Sequence, residues 1–357
     1  MQMKESPDVN AAKELGIKAL IKNILVDKHR KPIPKILHEM LTYGVTDREF
    51  PRYYITGMFY RKDVQNPLDH IGMEDYRKIR KYIKDPVVIP FLRNKLLFRH
   101  HLSHSSVPLP AFLGYNIGRH FFSPHDHRFL DSQASFADLV EGLLAKAESS
   151  SIFVKPADGI QGQGCFKIDS AESSCLGTLY KKICATNHVF EETLVQHPLV
   201  SDIYPHSLNT LRIVTCMMDD ERVELVSALM RLGANQSIVD NASNGGMFIG
   251  VDLESGRLAS YARQFFAFGG NMHTNHPDTG FRFDGFTVPH FQAALATVKT
   301  AAAYLPYRLV GWDIAITEKG PVLMEGNHNA HILMSDMADG GYKRNAVFKS
   351  FLDRITI

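Results

Sequence analysis

Two carboxylates and an amide lie close together near the C-terminal end of the chain: Asp313, Glu325 and Asn327, within VGWDIAITEKGPVLMEGNHNA (310–330). The apolar runs 309–317 and 321–326 read as strands joined by a short Glu318-Lys319-Gly320 turn. Carboxylates on such strands are costly to bury unless paired or bound to a cation. Antiparallel pairing across so short a turn sets residues 313 and 325 side by side. An all-oxygen set of this kind suits Mg²⁺, which takes one or two carboxylates and leaves its other positions to phosphate and water. Salt-bridged or edge-exposed acids are the competing meaning of the same residues.

A second group is FVKPADGIQGQGCFKI (153–168). A strand ends at Lys155-Pro156, a loop carries Gly159, Gln161, Gly162 and Gly164, and a second strand follows. Glycines so placed let backbone N–H groups curl around an anion, and a lysine at the strand end adds a point charge for phosphate. The known phosphate loops lead into a helix, whereas Cys165-Phe166-Lys167-Ile168 reads as β. On glycine count alone, a plain hairpin turn is the commoner meaning. A third group is HPLVSDIYPHSLNTLRIVTC (197–216), in which Asn209, Thr210 and Arg212 enter an apolar strand. Arg212 can grip phosphate or carboxylate with two parallel bonds. Downstream lie Arg231, VDNASNGG (239–246) and HTNHPDTG (273–280), for which simple turns and loop histidines are the plainer meanings.

These groups need elements to hold them. Helical spacing is expected through 11–85, on the face carrying Phe91, Lys95, Phe98 and Leu102, in 135–150 with Ser135 as cap, and in 289–304. Strands are expected at 111–114, 151–155, 164–168, 193–196, 211–217, 223–231, 247–252, 310–317 and 321–326. Hairpins outnumber βαβ units, so the class is α+β with mostly antiparallel strands. The 357 residues carry 45% hydrophobic and 22% charged side chains, an ordinary globular composition. A net charge of +2 lacks the strong positive field of a dedicated nucleic-acid binder. Residues 1–100 hold 20 Lys+Arg against 12 Asp+Glu and are therefore basic, most simply a solvated helical face. Four scattered cysteines, no apolar leader and no membrane-length apolar run suggest a cytosolic, cytoplasmic protein with no membrane span. The histidine clusters RHHLSH (99–104) and RHFFSPHDH (119–127) match no standard zinc spacing.

In order, these parts form a series: Lys95 before VPLP, Lys155 before a Gly-rich loop, VFEETLVQ (189–196), Arg212, then Asp313, Glu325 and Asn327. The series resembles the ATP-grasp superfamily, and more closely its sugar-transfer-associated branch, related to α-L-glutamate ligases. FVKPADGIQGQG, QHPLVSDIYPHSLNTLRIVT, HPDTG and VGWDIAITEKGPVLMEGN carry the resemblance, over roughly 90 to 335. It implies two α+β lobes, about 89–190 and 191–357, holding ATP between them, behind a basic helical region 1–88 that lies outside the resemblance. By position, Lys95 and Lys155 would meet ATP, and the loop with Gly159, Gln161, Gly162 and Gly164 would close over its phosphates. Glu191, Glu192 and Thr193 would line the hinge, with Asp202 a rival for the ribose. Asp313, Glu325 and Asn327 would hold one or two Mg²⁺, and Arg212 would steady the transferred phosphoryl group. Asn209, Arg231, Asn241, Asn244 and His276 would shape the acceptor pocket. The implied activity is carboxylate–amine ligation through an acyl phosphate, releasing ADP and phosphate. A small-molecule or sugar kinase and a non-catalytic nucleotide-binding module are the alternatives. The substrates remain unassigned, and the oligomeric state is open, homo-oligomers included.

Overall fold

In the computed structural model, the described residues are 17–48, 50–159, 164–170, 175–330 and 332–355. They open with helices α1 (Ile17–Val26), α2 (Ile33–Asp47), α3 (Arg52–Thr56), α4 (Met73–Tyr82), α5 (Ile89–Arg93) and α6 (Lys95–Leu102). Asn94 starts α6 by accepting hydrogen bonds from the backbone of Leu96 and Leu97.

A six-stranded sheet follows, built from β1 (Phe112–Ile117), β2 (His120–Ser123), β3 (Asp126–Phe129), β4 (Ile152–Pro156), β5 (Phe166–Ile168) and β6 (His188–Glu192), in the order β3-β2-β1-β6-β4-β5. Helices α7 (Gln133–Leu144) and α8 (Leu176–Ala185) cover one face, around Phe121, Phe136, Val154, Ile183 and Phe190. Strand alternation turns Lys155 and Glu191 to the opposite face. Gly114 sits at a bulge between β1 and β6 with φ +154°. A Cβ there would lie 2.3 Å from Phe121 Cζ and 2.6 Å from the Phe122 carbonyl oxygen. Gly114→Ala is therefore expected to lower stability by about 1–3 kcal/mol; urea unfolding measures it, and an unchanged midpoint would contradict this packing.

After α9 (Pro198–Ile203) comes a seven-stranded sheet of β7 (Thr210–Met217), β8 (Val223–Leu232), β9 (Met247–Val251), β10 (Ala262–Arg263), β11 (Met272–His273), β12 (Leu309–Thr317) and β13 (Gly320–Asn327), in the order β11-β10-β9-β8-β7-β12-β13. Every pairing in both sheets is antiparallel. α10 (Phe291–Tyr304) packs on β7, β8, β12 and β13, while α5 and α6 touch β13. α11 (Ile332–Asp339) lies over β8 and β9, and α12 (Ala346–Ile355) packs on α4 and β8. With both faces covered, all nine residues of β12 are buried, Asp313 among them.

The basic front of the chain forms a core of its own. Tyr43, Tyr53, Tyr54, Phe59 and Tyr60 pack with Phe248 and Phe265 of the sheet region and with Leu333, Met334 and Met337 of α11. Part of its charge is internal: Lys31 pairs with Glu39 at 2.9 Å and Arg61 with Asp27 at 2.7 Å. Two local expectations are corrected. Residues 193–196 form no strand: the chain leaves the sheet after Glu192, and Gln196 turns inward to hold the Asn209 loop. The helix expected over 135–150 spans Gln133–Leu144; Ser132 is its cap, and Ser135 completes the reciprocal pair by accepting from the Ser132 backbone.

Candidate functional site

The turn at Glu318-Lys319 sets the β12–β13 register as far as Ile314–Leu323; a bulge at Met324 then shifts it by one, so that Asp313 pairs directly with Glu325. Asn327 donates to Asp313 Oδ2 at 3.3 Å and to Glu325 Oε1 at 3.2 Å, and Glu325 comes within hydrogen-bond reach of Asp313. On the other side β7 and β8 bring two arginines. Arg212 grips Asp313 through Nε and, at 3.0 Å, through Nη2; Arg231 Nη2 lies 3.1 Å from Asp313 Oδ2. Arg231 also reaches Asp240 at 3.3 Å, and Asp240 accepts from the Thr210 hydroxyl at 2.5 Å. Acids and guanidiniums thus alternate along the contact chain Arg212–Asp313–Arg231–Asp240. Burial opposes ionisation of Asp313, yet Arg212 and Arg231 outweigh it and hold its carboxyl down at about 2. Burial likewise works against the charge on Arg231, and Asp240, Asp313 and Glu325 more than offset it, so its pKa is raised.

The six-stranded sheet supplies the facing wall. Lys155 Nζ is 2.5 Å from Glu191 Oε2, both residues buried, and Arg99 Nη1 is 3.3 Å from Glu191 Oε1. The Gly-rich loop is fastened at both ends by lysines: Lys95 Nζ donates to the Gly159 carbonyl and Lys182 Nζ to that of Gly164, each at 2.9 Å. Gly164 has φ +79°, which favours glycine. Gln161 and Gly162 lie outside the described residues. Cys165, at the loop's exit, feels the charges of Lys95, Lys155 and Glu325, although burial is the larger influence and pushes its thiol up. Glu325 is therefore close enough to the loop's exit for its charge to act on Cys165.

The remaining sequence candidates separate clearly. Glu192 accepts from the Ser149 backbone at 2.6 Å, and the Thr193 hydroxyl is buried without a partner among the described residues. Asp202 is exposed on α9. Asn209 spends its side chain on Gln196, Tyr204, Ser207 and Gly233. His276 is buried, with Nε2 2.9 Å from the Gly233 carbonyl, Nδ1 accepting from Asp278 and its ring stacked on Tyr204; burial lowers its pKa. Asn241 and the exposed Asn244 belong to the short helical turn before β9. Arg99, Lys182 and Asp240 were not singled out from sequence. Arg99 had a signal, one helical turn after Lys95, and Asp240 sat beside VDNASN without a periodic context.

The donor set fits a divalent cation. Two carboxylates within reach of each other repel unless a proton or cation lies between them. Asp313 Oδ1 keeps a lone pair beyond its Arg212 bond, and Glu325 offers its second oxygen. Asn327 would present oxygen once its amide is turned over, an alternative of equal shape. Among the described residues no group of three His, Cys, Asp or Glu could hold a metal by itself. Such a spare set matches an ion that relies on phosphate oxygens. Arg212 Nη1 is buried without a hydrogen-bond partner among the described residues, so a donor for an anion stands ready beside the acids.

Two helix-covered antiparallel sheets with these groups between them make an α+β fold of the ATP-grasp type. The chain belongs to the sugar-transfer-associated ATP-grasp family, whose model matches residues 76–347. A search of curated protein sequences gave no match. Among solved structures, D-alanyl-alanine synthetase A of Vibrio cholerae is similar at 12% identity and TM-score 0.47, over 76% of this chain and 66% of that one. VanG D-Ala:D-Ser ligase of Enterococcus faecalis is similar at 11% identity and 0.46, over 76% and 63%. The ATP-grasp ligase PsnB, complexed with a minimal precursor, is similar at 14% identity and 0.41, over 77% and 63%. The chain covers less than two thirds of the length of each.

Proposed function

We propose that this ATP-grasp ligase joins a carboxylate to an amine at the expense of ATP. The observation that carries the reading is the pairing that sets Asp313 beside Glu325, with Asn327 across both, near a loop whose Cys165 feels the charges of Glu325, Lys95 and Lys155. Mg²⁺ bound by Asp313, Glu325 and Asn327 would neutralise triphosphate charge. Lys95 and Lys155 hold the phosphates, Arg212 Nη1 donates to the group in transfer, and the loop between Gly159 and Gly164 shields it from water. A substrate carboxylate oxygen attacks the γ-phosphorus and ADP leaves with the bond pair. The amine nitrogen then attacks the acyl carbon, phosphate departs, and the nitrogen releases its proton. Positioning and charge neutralisation do the work, without a protein nucleophile. Arg231, above the acids, is the residue best placed to meet the acceptor.

The four cysteines are free, which supports a reducing, cytoplasmic setting. Among the described residues no helix is long and apolar enough to cross a membrane. ATP and the two small substrates are the partners in this reading, with no role for nucleic acid. The test is ADP release across panels of carboxylates and amines, followed by mass analysis. An amide product with equal ADP and phosphate supports ligation; ADP with a phosphorylated product and no phosphate selects a kinase.

Lys155→Met separates nucleotide binding from scaffold. Arg99 still neutralises Glu191 in the variant, so the fold should hold, whereas ATP affinity should fall on the order of 10-fold or more. Fluorescence titration with an ATP analogue measures it. Undiminished affinity would remove Lys155 from the nucleotide site.

A further inference from the structure

The basic front of the chain carries two apolar stripes that no other described residue covers. α1 turns Ile24 into the aromatic core, and α2 turns Ile36 and Tyr43 into it. Away from that core α1 presents Ile21, Leu25 and Val26, and α2 presents Leu37, Leu41 and Val45, all between 46% and 72% exposed. The i, i+4, i+8 spacing of the α2 set makes a stripe along one side of the helix. A single exposed apolar residue needs no cause, but two successive helices with ordered apolar outer faces call for a partner.

The charge around the stripes has one sign. Residues 17–46 hold six Lys+Arg against two Asp+Glu. Both acids are engaged inside: Asp27 with Arg61 at 2.7 Å, and Glu39 with the buried Lys31 at 2.9 Å. Lys22, Lys28 and Lys35 stay exposed, and Lys35 lies 4.0 Å from the Glu39 carboxylate that Lys31 already holds. Asp47 and Glu49 come only after the last stripe residue in the chain.

An apolar face beside lysines without acids of their own selects the kind of partner. In a two-fold dimer the face would meet its own copy, so each positive flank would oppose another, at a cost. A nucleic acid would engage the lysines and leave the six apolar side chains in water. An anionic lipid surface satisfies both groups. The apolar side chains enter the boundary between headgroups and acyl chains, and the lysine stems reach along it with their ammonium groups among the lipid phosphates. Helices of this length lie on a bilayer rather than cross it.

We propose that the outer faces of α1 and α2 form a docking surface for an anionic membrane. The proposal does not depend on the ligase reading. The test is co-sedimentation of the full chain with vesicles of equimolar phosphatidylserine and phosphatidylcholine, against vesicles of phosphatidylcholine alone. Wild type should partition at least about tenfold more strongly onto the anionic vesicles, and less so as salt rises. Leu37→Gln with Leu41→Gln should weaken that partition at least about tenfold through lost apolar burial. Lys22→Gln, Lys28→Gln and Lys35→Gln together should weaken it to a similar degree by removing the charge attraction. All five positions are exposed and glutamine is a good helix former, so melting temperatures should stay at the wild-type value. Wild type that ignores the anionic vesicles would overturn the proposal, and sedimentation velocity would then show whether a second copy covers the face. Equal partition onto both vesicles, or binding that the lysine changes abolish and the leucine changes leave intact, would overturn it as well.

Discussion

Glu325→Gln should lower the rate of ADP formation by at least about 100-fold while leaving the melting temperature within about 3 °C of wild type. Glu325 is only half-buried; it accepts from Asn327 at 3.2 Å and lies within hydrogen-bond reach of Asp313. Glutamine has the same shape and can accept that bond, so little scaffold is lost. What disappears is one of the two negative charges available to a divalent cation. EDTA should stop turnover in wild type and added Mg²⁺ should restore it. In the variant, the Mg²⁺ concentration for half-maximal rate should rise. Normal turnover with an unchanged Mg²⁺ requirement would show that this hairpin does not hold the ion.

Asp313→Asn should act on both activity and stability. Asp313 is 1% exposed and answers two guanidiniums, of which Arg212 is itself 2% exposed. Removing one member of a buried charge pair leaves the other uncompensated, at about 3–5 kcal/mol. Asp240 still faces Arg231, so the cost falls chiefly on Arg212. The loss should also depend on pH. The folded carboxyl sits at about 2, below its ordinary value of 3.8. Its contribution is therefore fully present above 3.8 and is lost as pH falls toward 2. Over that window wild type should lose about 2 kcal/mol that the variant does not. Urea unfolding at pH 5 and pH 2.5 would show the gap between the two proteins narrowing at the lower pH. A gap that stayed constant would mean that the ionised carboxylate is not what holds these arginines.

The parts of the site that the sequence revealed are those whose spacing is local. Asp313 and Glu325 lie on neighbouring strands joined by a two-residue turn, which brings them close, and a bulge at Met324 shifts the register by one so that they pair directly. Lys155 ends a strand just before glycines, which fixes its place at the loop. Partners that meet across long separations were hidden: Arg99 and Glu191 lie 92 residues apart, and Arg231 reaches Asp313 only after β7 and β8 have paired. Asn209 and His276 show the converse difficulty. Their residue types suit an acceptor pocket, but whether a polar side chain faces a ligand or its own scaffold depends on tertiary packing. Here Gln196, Tyr204, Gly233 and Asp278 take up their polar atoms. The basic N-terminal region offered no chemical motif, because its contribution is an aromatic core built against Phe248 and α11.

The most direct measurement is a crystal structure with a non-hydrolysable ATP analogue and Mn²⁺, using the anomalous signal of the manganese. Density for Mn²⁺ bound by oxygens of Asp313, Glu325 and Asn327, with the phosphates reaching Lys155 and Arg212, is the predicted result. Manganese and nucleotide lodged elsewhere, with the Arg212–Asp313 pair undisturbed and Glu325 uncoordinated, would contradict it.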